Sequence, residues 1–206
     1  SITGGPALTI TLIGRPVINA LVNAASWQPQ LSAGTIAVLF GSNLGETRVT
    51  VNRSETQLLY SSSRQVNFVI PPRLGSGPAE IVAIGRTGSS EPLRINLESI
   101  SPGIFYDGVT GLGAVRFLTP RIAEVYGTGF GPVDQSALPR TVSIPMVVVA
   151  GETCDLLYSG MSPAITGLYQ LNIRIPDTVP AGTQELSATI EGRRGNTVKI
   201  EVPSLF

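Results

Sequence analysis

Apolar and polar residues alternate along several stretches of the chain. Residues 46–70 contain neither Gly nor Pro, and within them Val49 and Val51, and later Val66 and Phe68, alternate with polar residues. Residues 8–12 and 198–202 repeat the pattern. A spacing of two is typical of a strand with one buried face, because a helix would need apolar residues three and four apart. We therefore predict strands in these stretches.

Turn-forming residues separate the predicted strands. The clearest turns, rich in Gly, Pro and small polar residues, lie at 75–78, 85–88 and 191–196. Many short strands joined by such turns are typical of all-β sandwiches and barrels. One stretch leaves an alternative open, since the apolar residues at 17, 18, 21 and 22 have helical spacing and a helical turn over 17–25 competes with a strand there.

The chain contains an internal repeat. Residues 65–71, Gln-Val-Asn-Phe-Val-Ile-Pro, return as Gln-Leu-Asn-Ile-Arg-Ile-Pro at 170–176, and the match continues without a gap to Leu97 and Val202. Further matches pair 49–60 with 147–158 and 40–45 with 126–131. The offset grows along the chain, which indicates insertions in the second copy at 132–145 and around 161–167. The repeat predicts two sandwiches of the same topology, with Val66 and Leu171, and Phe68 and Ile173, in equivalent core positions.

The repeat also predicts the domain boundaries. We assign residues 15–98 to the first sandwich and 99–206 to the second. Residues 1–14 hold an extra strand at Leu8–Leu12, whose alternation resembles that of Leu93–Leu97. This strand belongs either to the first sandwich or to the end of a preceding domain. The chain begins Ser1-Ile2-Thr3 without Met or signal-peptide features, so we expect it to be part of a longer, processed protein.

Each copy has an apolar strand that ends in a glycine-rich turn, Gly41-Ser42-Asn43-Leu44-Gly45 in the first and Gly127-Thr128-Gly129-Phe130-Gly131 in the second. These turns resemble those of the IPT/TIG branch of immunoglobulin-like sandwiches, with Gly129 in place of Asn. The resemblance makes the expected fold class all-β, with two tandem immunoglobulin-like (IPT/TIG-like) β-sandwiches.

A more specific resemblance rests on six motifs that occur in order over residues 17–206, at 22–27, 41–45, 65–68, 101–105, 126–132 and 167–172. This series is similar to a C-terminal domain found repeatedly in large secreted proteins of Acidobacteria such as Solibacter. The sequence departs from that family in a shorter segment before Tyr126. The resemblance implies a secreted or cell-surface location at the C-terminal end of a larger protein, and it implies no activity.

Composition excludes several functions. The chain has no His and only one Cys, so Ser-His-Asp and Cys-His nucleophile systems, His-based metal sites and an internal disulfide are ruled out. Its 14 basic and 14 acidic residues balance, which gives no general electrostatic reason to bind nucleic acid. Frequent Gly and Pro leave no room for a transmembrane helix, so no membrane insertion is expected.

Several residues look site-like but have structural interpretations. The Gln-x-Asn pairs at 65/67 and 170/172 occur in both copies, and we expect them to cap loop backbone rather than bind a ligand. Gly127-x-Gly129-x-Gly131 resembles a phosphate loop, but Pro132 follows it instead of a helix, which favours a tight turn. Arg193-Arg194 is expected in a solvated hairpin turn, and Cys154 as a buried, unreactive thiol.

Carboxylate catalysis needs no His, so a glycosidase pair formed by two acidic residues of the second copy is an alternative hypothesis. The candidates lie in expected loops or exposed strand positions: Asp134, Glu152, Asp155 and Asp177. Glu152 and Asp155 are three residues apart, so on a strand they would face opposite sides. No Asp-x-Asp-x-Asp calcium loop occurs, and the glycosylation pattern Asn52-Arg53-Ser54 is weak on its own.

These observations favour a protein that is not an enzyme, with no cofactor, no metal and no catalytic residue. The leading hypothesis is an extracellular structural, adhesion or interaction module with an unknown protein or glycan partner and no assigned ligand-binding residue. The alternative is a carbohydrate-binding module that uses exposed aromatic residues such as Trp27 or Tyr169, although Trp27 also suits a plug at the edge of a core. A carboxylate-dependent hydrolase is the third hypothesis.

The segment between the two copies is predicted to be stiff. Residues 97–105 are short and carry the apolar residues Ile100, Ile104 and Phe105, whereas a flexible linker is longer and rich in Gly, Ser or charge. Pro102 restricts Ser101 to extended conformations. We expect Ile104 and Phe105 to be buried and to hold the second domain against the first.

Overall fold

The structure is a computed structural model that describes residues 14–162 and 165–205. In this part of the chain every regular element is a β-strand. The strands are β1 (Val17–Asn23), β2 (Ile36–Ser42), β3 (Arg48–Val51), β4 (Ser54–Glu55), β5 (Gln57–Ser61), β6 (Gln65–Val69), β7 (Gly77–Gly85), β8 (Gly88–Ser89), β9 (Leu93–Leu97), β10 (Gly103–Ile104), β11 (Val115–Thr119), β12 (Ile122–Thr128), β13 (Met146–Val149), β14 (Glu152–Thr153), β15 (Asp155–Met161), β16 (Tyr169–Arg174), β17 (Gly182–Ile190) and β18 (Arg193–Val202). The strand expected at Leu8–Leu12 lies outside the described residues.

The strands form four antiparallel sheets that enclose two separate cores. In the first half, the sheet β1-β2-β6-β5 shares a core with β4-β3-β7-β8, to which β9 adds on β7. In the second half, β10-β12-β16-β15, with β11 on β12, shares a core with β14-β13-β17-β18. The strand orders of the two halves correspond, except that β11 has no counterpart in the first half and that β18 alone pairs with β17 where both β8 and β9 pair with β7. The expected fold class, all-β with two tandem immunoglobulin-like sandwiches, is confirmed.

The alternating strands place their apolar residues in these cores. Val66 and Phe68 of β6 are fully buried in the first core, and Leu171 and Ile173 of β16 are fully buried in the second. The polar residues between them face the other side of the sheet, because successive side chains of a strand point to opposite faces. The predicted pairing of core positions is therefore confirmed.

The repeat extends to irregular features of the backbone. The edge strands β5 and β15 both have a register shift against their neighbours, between Leu58 and Tyr60 and between Leu156 and Tyr158. The hairpins after β3 and β13 both turn through two residues with positive φ. Equivalent side chains and equivalent bulges in both halves support the sequence alignment.

The first strand is not helical. β1 pairs with β2 from Val17 to Asn23, and a turn follows at 24–26. The helical alternative over 17–25 is wrong because the apolar residues that suggested it are divided between the two faces of the strand. Leu21 enters the first core while its neighbour Val22 is only half-buried.

The two insertions of the second copy have different roles. Residues 132–145 form a loop beside the edge strand β15, where Arg140 pairs with Gly160 and the Tyr158 hydroxyl donates to Pro139 O at 2.9 Å. Covering an edge strand in this way blocks its unpaired backbone groups. The loop that follows β15 instead reaches the first sandwich, since a Cβ on Gly167 would lie 2.9 Å from Ile36 Cγ1.

Candidate functional site

Four of the six ordered motifs meet between the two sandwiches. We call this region the joint: the β1–β2 connection from Asn23 to Ile36, the linker 98–103, the turn 127–131 and the loop end at Gly167. Buried polar groups form hydrogen bonds across the joint.

Asn23 organises the first-sandwich side of the joint. It is fully buried, and its Oδ1 accepts the backbone N–H groups of Ala25 at 2.8 Å and Ser26 at 3.2 Å. Its Nδ2 donates to Ser101 O in the linker at 2.9 Å. Asn favours turns because its side chain can bond to nearby backbone in this way. One side chain therefore fixes the turn after β1 and ties it to the linker.

Three buried hydroxyl groups form a closed triangle in the joint. Ser32 Oγ lies 3.0 Å from Thr35 Oγ1, Thr35 Oγ1 lies 3.1 Å from Ser101 Oγ, and Ser101 Oγ donates to Ser32 Oγ at 2.9 Å. Ser32 and Thr35 belong to the first sandwich, and Ser101 lies in the linker. Because all three are buried, separating the sandwiches without water entry would leave hydroxyls unsatisfied.

Thr128 bridges the sandwiches directly. Its fully buried Oγ1 accepts the N–H of Ile36 at 2.9 Å and donates to Gly167 O at 2.7 Å. Ile36 is the first residue of β2, and Thr128 is the last residue of β12. The bond therefore joins the ends of two core strands, one from each sandwich.

Glycines allow the backbone segments of the joint to approach closely. Ser101 N–H donates to Gly129 O at 3.0 Å, and a Cβ on Gly129 would overlap the Ser101 carbonyl oxygen. Gly129 also has φ +77°, a conformation that favours glycine. A Cβ on Gly103 would lie 2.9 Å from Ser26 N. Gly127 lies in β12, and Gly129 and Gly131 follow the strand with positive φ and without a helix after them. These glycines bring the linker onto the second sandwich.

The 190–196 hairpin closes the joint from the second sandwich. Arg193 forms an ion pair of 2.9 Å with Glu98 of the linker, so Arg193 is not merely a solvated turn residue as expected. Arg194 remains exposed. The Asn196 side chain accepts the N–H of Ile104 at 2.8 Å and donates to Ile104 O at 2.9 Å. These two hydrogen bonds are the ones that the backbone of a neighbouring strand would form with Ile104.

The predicted burial of the linker's apolar residues is only partly confirmed. Ile100 and Ile104 are buried, and both belong to the core of the second sandwich. Phe105 is half-buried, so its expected burial is wrong. It follows Ile104 in an extended segment whose alternation turns its side chain away from the core, and its backbone bonds to Tyr126 and Ala114.

Two open clefts flank the joint. One, of about 310 Å³, has a mixed polar and apolar lining that includes Ser26, Gln28, Arg193 and Arg194. The other, of about 440 Å³, is bordered by Gly34, Pro72, Pro132 and Tyr169 among others. Ile100 borders both.

The two Gln-x-Asn pairs lie on the outer faces of their sheets. Gln65 Nε2 donates to Asn67 Oδ1 at 2.8 Å, and Gln170 Nε2 donates to Asn172 Oδ1 at 2.8 Å. The expected contact with loop backbone is replaced, among the described residues, by a bond between the two side chains. This bond requires both residues on one face of a strand, as a spacing of two provides.

The aromatic candidates have different environments. Trp27 is 47% exposed, so it is not a buried core plug. Its ring lies nearly parallel to that of Phe40, at 19° with centroids 6.2 Å apart. Tyr169 is buried, donates its hydroxyl to Gly131 O and packs on Phe130. Burial raises the pKa of Tyr169 to about 12. The expectation that Tyr169 is an exposed platform is wrong.

A charged network covers the outer face of the second sandwich and was not anticipated from the sequence. Glu124 is 7% exposed and its Oε2 accepts from Arg116 Nε at 2.7 Å and the Tyr126 hydroxyl at 2.8 Å. Its Oε1 accepts from Gln170 at 3.3 Å. The bond to Glu124 raises the pKa of the Arg116 guanidinium. Glu124 thus has a partner on each carboxylate oxygen.

The carboxylate candidates are dispersed. Asp134 holds its own loop by accepting from Ser136 and Arg140, and these hydrogen bonds lower the pKa of its carboxyl group. Asp177 pairs with Arg121 at 3.4 Å, and Glu152 and Asp155 are exposed near the 150–151 turn. Within residues 14–162 and 165–205, no three His, Cys, Asp or Glu side chains are grouped to hold a metal ion.

Cys154 is buried in the second core, as predicted. Its N–H donates to Val147 O at 2.9 Å, just as that of the equivalent Thr56 donates to Val49 O at 3.1 Å. Burial raises the pKa of the thiol from 9.0 to about 11. Since the thiolate is the reactive form, Cys154 is unreactive near neutral pH.

This pKa predicts a loss of stability in alkali. The unfolded thiol ionises near pH 9 and the folded one near 11, so the stabilisation is complete below pH 9 and is lost as the pH rises to 11. The loss amounts to roughly 3 kcal/mol. Cys154→Thr, which copies Thr56, should reduce the fall in urea-unfolding free energy between pH 8 and 11 by about that amount. Equal losses in both proteins would contradict the assignment.

No helix in the described part of the chain has the length and apolar character needed to cross a membrane.

No family model matches the chain, and no curated protein matches it. Among solved structures it is similar to SGBP-B from a complex xyloglucan utilization locus in Bacteroides uniformis, at 20% identity over 92% of this chain and 50% of that chain, with a TM-score of 0.33. A second is SGBP-B of the Bacteroides ovatus mixed-linkage glucan utilization locus, in complex with a mixed-linkage heptasaccharide, at 12% identity over 91% and 46%, with a TM-score of 0.42.

A third similar structure is that of domains 5–6 of the S-layer protein SbsC, at 11% identity over 93% of this chain and 100% of that chain, with a TM-score of 0.38. The chain spans about half the length of the two SGBP-B proteins. Identities and TM-scores this low do not transfer a ligand or a partner.

Proposed function

We propose that the chain is a non-catalytic, rigid two-domain module of a larger secreted or surface-exposed bacterial protein, in which it spaces or presents other parts for interaction. The observation that carries the proposal is the buried hydrogen-bond network of the joint. Four of the motifs that resemble the acidobacterial C-terminal family supply its residues. The same resemblance supports the secreted location and the C-terminal position.

Polar groups specify the relative position of two surfaces more strictly than apolar contacts. The Thr128 hydroxyl can satisfy Ile36 N–H and Gly167 O together only when the two strand ends meet in one arrangement. Leaving a buried donor or acceptor without a partner costs about 1–3 kcal/mol. Several such groups act in the same direction at the joint. A hinge between the sandwiches would break them all, so the module is stiff.

The test is the distribution of distances between the two sandwiches. Nitroxide labels are placed at Glu91→Cys and Glu185→Cys, both exposed, on a Cys154→Thr background. We expect one narrow distance peak by pulsed electron spin resonance. The double variant Ser101→Ala/Thr128→Val should broaden it, because it removes the hydroxyl triangle and the bridge.

Thr141→Val is the matched control. The Thr141 hydroxyl donates to Ser159 Oγ at 2.8 Å within the second sandwich, so its loss removes a buried hydrogen bond away from the joint. This control should leave the distance peak narrow. A broad distribution in the unmodified module, or no difference between the joint variant and the control, would overturn the proposed stiffness.

A further inference from the structure

The outer face of the sheet β1-β2-β6-β5 carries exposed and half-buried aromatic and amide residues. We call it the Trp27 face and define it by Trp27, Phe40, Tyr60, Gln65 and Asn67. Pairing across the sheet joins Phe40 to Gln65, and Asn67 to Tyr60, and directly paired residues share one face. The core residues Leu39 and Val66 point to the opposite side. These five side chains therefore belong to one surface.

The backbone of Trp27 is held in an unfavourable conformation. Its φ is +59°, a left-handed conformation that is unfavourable for a residue with a bulky side chain. The turn compensates through Asn23, whose carbonyl accepts the Trp27 N–H at 2.9 Å and whose side chain accepts two further N–H groups. The result is that a large apolar ring stands 47% exposed. Such strain tends to be retained where an exposed group has a role.

The aromatic rings extend across the sheet. The Trp27 and Phe40 rings are nearly parallel, and Tyr60 is 51% exposed on the edge strand β5. Phe40 and Tyr60 are two strands apart, about 10 Å across the sheet, and are also offset by two residues, about 7 Å, along the strands, because Phe40 pairs with Gln65 and Tyr60 with Asn67. Between them lie the two amide side chains of β6. The surface therefore offers two apolar platforms separated by hydrogen-bonding groups, a length suited to an oligosaccharide rather than a single sugar.

The Trp27 face carries no charge. None of its five defining residues is ionised at neutral pH. The bond between Gln65 and Asn67 uses one amide hydrogen and one carbonyl oxygen, which leaves the Gln65 carbonyl and the Asn67 amino group to accept and donate. Flat apolar rings beside uncharged donors and acceptors complement the C–H faces and hydroxyl groups of a neutral sugar. None of these five residues offers a cation to an acidic glycan.

We propose that the Trp27 face binds a neutral oligosaccharide, with pyranose rings stacked on Trp27 and Tyr60 and hydroxyl groups bonded to Gln65 and Asn67. This rests on the proposed function only in that it gives the module its partner. The two experiments have separate readouts, so their failures can be distinguished. A narrow distance peak without sugar binding would support the rigid module alone. Sugar binding with a broad distance distribution would support the glycan site alone.

The second sandwich supplies an internal comparison. Tyr126, Tyr158, Gln170 and Asn172 occupy the positions equivalent to Phe40, Tyr60, Gln65 and Asn67. There, however, Glu124 accepts from Gln170 and Tyr126, and Arg140 lies over the Tyr158 ring at 5.2 Å from its centroid. These groups satisfy one another and cover the ring. The equivalent face is therefore not proposed as a sugar site, and Tyr158 serves as a control.

Trp27 is the only tryptophan, so its fluorescence reports directly on the proposed site. The full chain is titrated with cellohexaose, maltohexaose, mannohexaose and hexa-N-acetylchitohexaose as neutral probes and with hexagalacturonic acid as an acidic one. We expect a saturable change in Trp27 emission with at least one neutral probe and none with the acid. By calorimetry, Trp27→Ala and Tyr60→Ala should each weaken binding at least tenfold, whereas Tyr158→Ala should not.

Three results would overturn the inference. They are the absence of binding to all four neutral probes, binding of the acidic probe only, and undiminished binding by Trp27→Ala. A self-association abolished by Trp27→Ala, seen by sedimentation in the absence of sugar, would assign the face to a second copy of the chain instead. Far-UV circular dichroism of each variant separates loss of binding from loss of fold.

Discussion

Replacing Gly129 by Ala is expected to destabilise the protein by roughly 2–5 kcal/mol. Two effects add. The left-handed backbone at φ +77° costs a non-glycine residue about 1–2 kcal/mol. The new Cβ would also overlap the Ser101 carbonyl oxygen, so the linker has to move away from the second sandwich, at a cost typical of overpacking, about 1–3 kcal/mol. Guanidinium unfolding followed by circular dichroism measures the sum.

Gly151→Ala separates these effects. Gly151 lies in the hairpin after β13 with φ +85°, and a Cβ there would meet nothing within 4 Å. It carries the same conformational penalty without the collision, so we expect a loss of only about 1–2 kcal/mol. If both variants lose the same amount, the close approach of Gly129 to the linker does not contribute, and the joint is looser than described.

Features with a local cause could be predicted from the sequence. Alternation of Val66 with Asn67 and of Leu171 with Asn172 is enough to orient a strand, and the repeat relates the two cores. Burial of apolar side chains stabilises the strand orientation and the two cores, so the core positions could be predicted correctly. The buried Cys154 followed from its alignment with Thr56.

The joint could not be predicted because its partners are distant in sequence. Ser32, Thr35 and Thr128 are ordinary polar residues until folding brings them together, and Thr128 bonds to Ile36, 92 positions away. The six ordered motifs pointed to a family resemblance, and nothing in them indicated that four of them meet between the domains. The linker's apolar residues predict stiffness through their burial rather than through hydrogen bonds. Phe105 is only half-buried, so burial alone does not account for the joint.

The buried environment of Tyr169 could not be predicted for a related reason, whereas Trp27 is exposed, as a sugar-binding platform requires. Tyr169 follows the strand alternation inward, and its hydroxyl finds a carbonyl partner at Gly131 that no local pattern indicates. Trp27 is kept at the surface by the turn geometry that Asn23 imposes. Glu124 occupies a position held by Val38 in the first sandwich, and only the structure shows Arg116 beside it. Side-chain environments on a sheet's outer face depend on neighbouring strands.

A core substitution in the second sandwich is expected to lower the stability of the first as well. Ile173→Ala removes a fully buried side chain and should cost about 2–5 kcal/mol. Because Thr128, Ser101 and Asn23 tie the sandwiches together, we expect both to unfold in one transition. Trp27 fluorescence reports only the first sandwich, and far-UV circular dichroism reports both.

In Ile173→Ala the two probes should therefore give the same lowered midpoint in guanidinium. Adding Ser101→Ala/Thr128→Val should separate them, since the first sandwich no longer depends on the second for its buried partners. The fluorescence midpoint would then lie above that of circular dichroism. If Ile173→Ala alone leaves the Trp27 midpoint at the wild-type value, the sandwiches fold independently and the joint contributes orientation without cooperative stability.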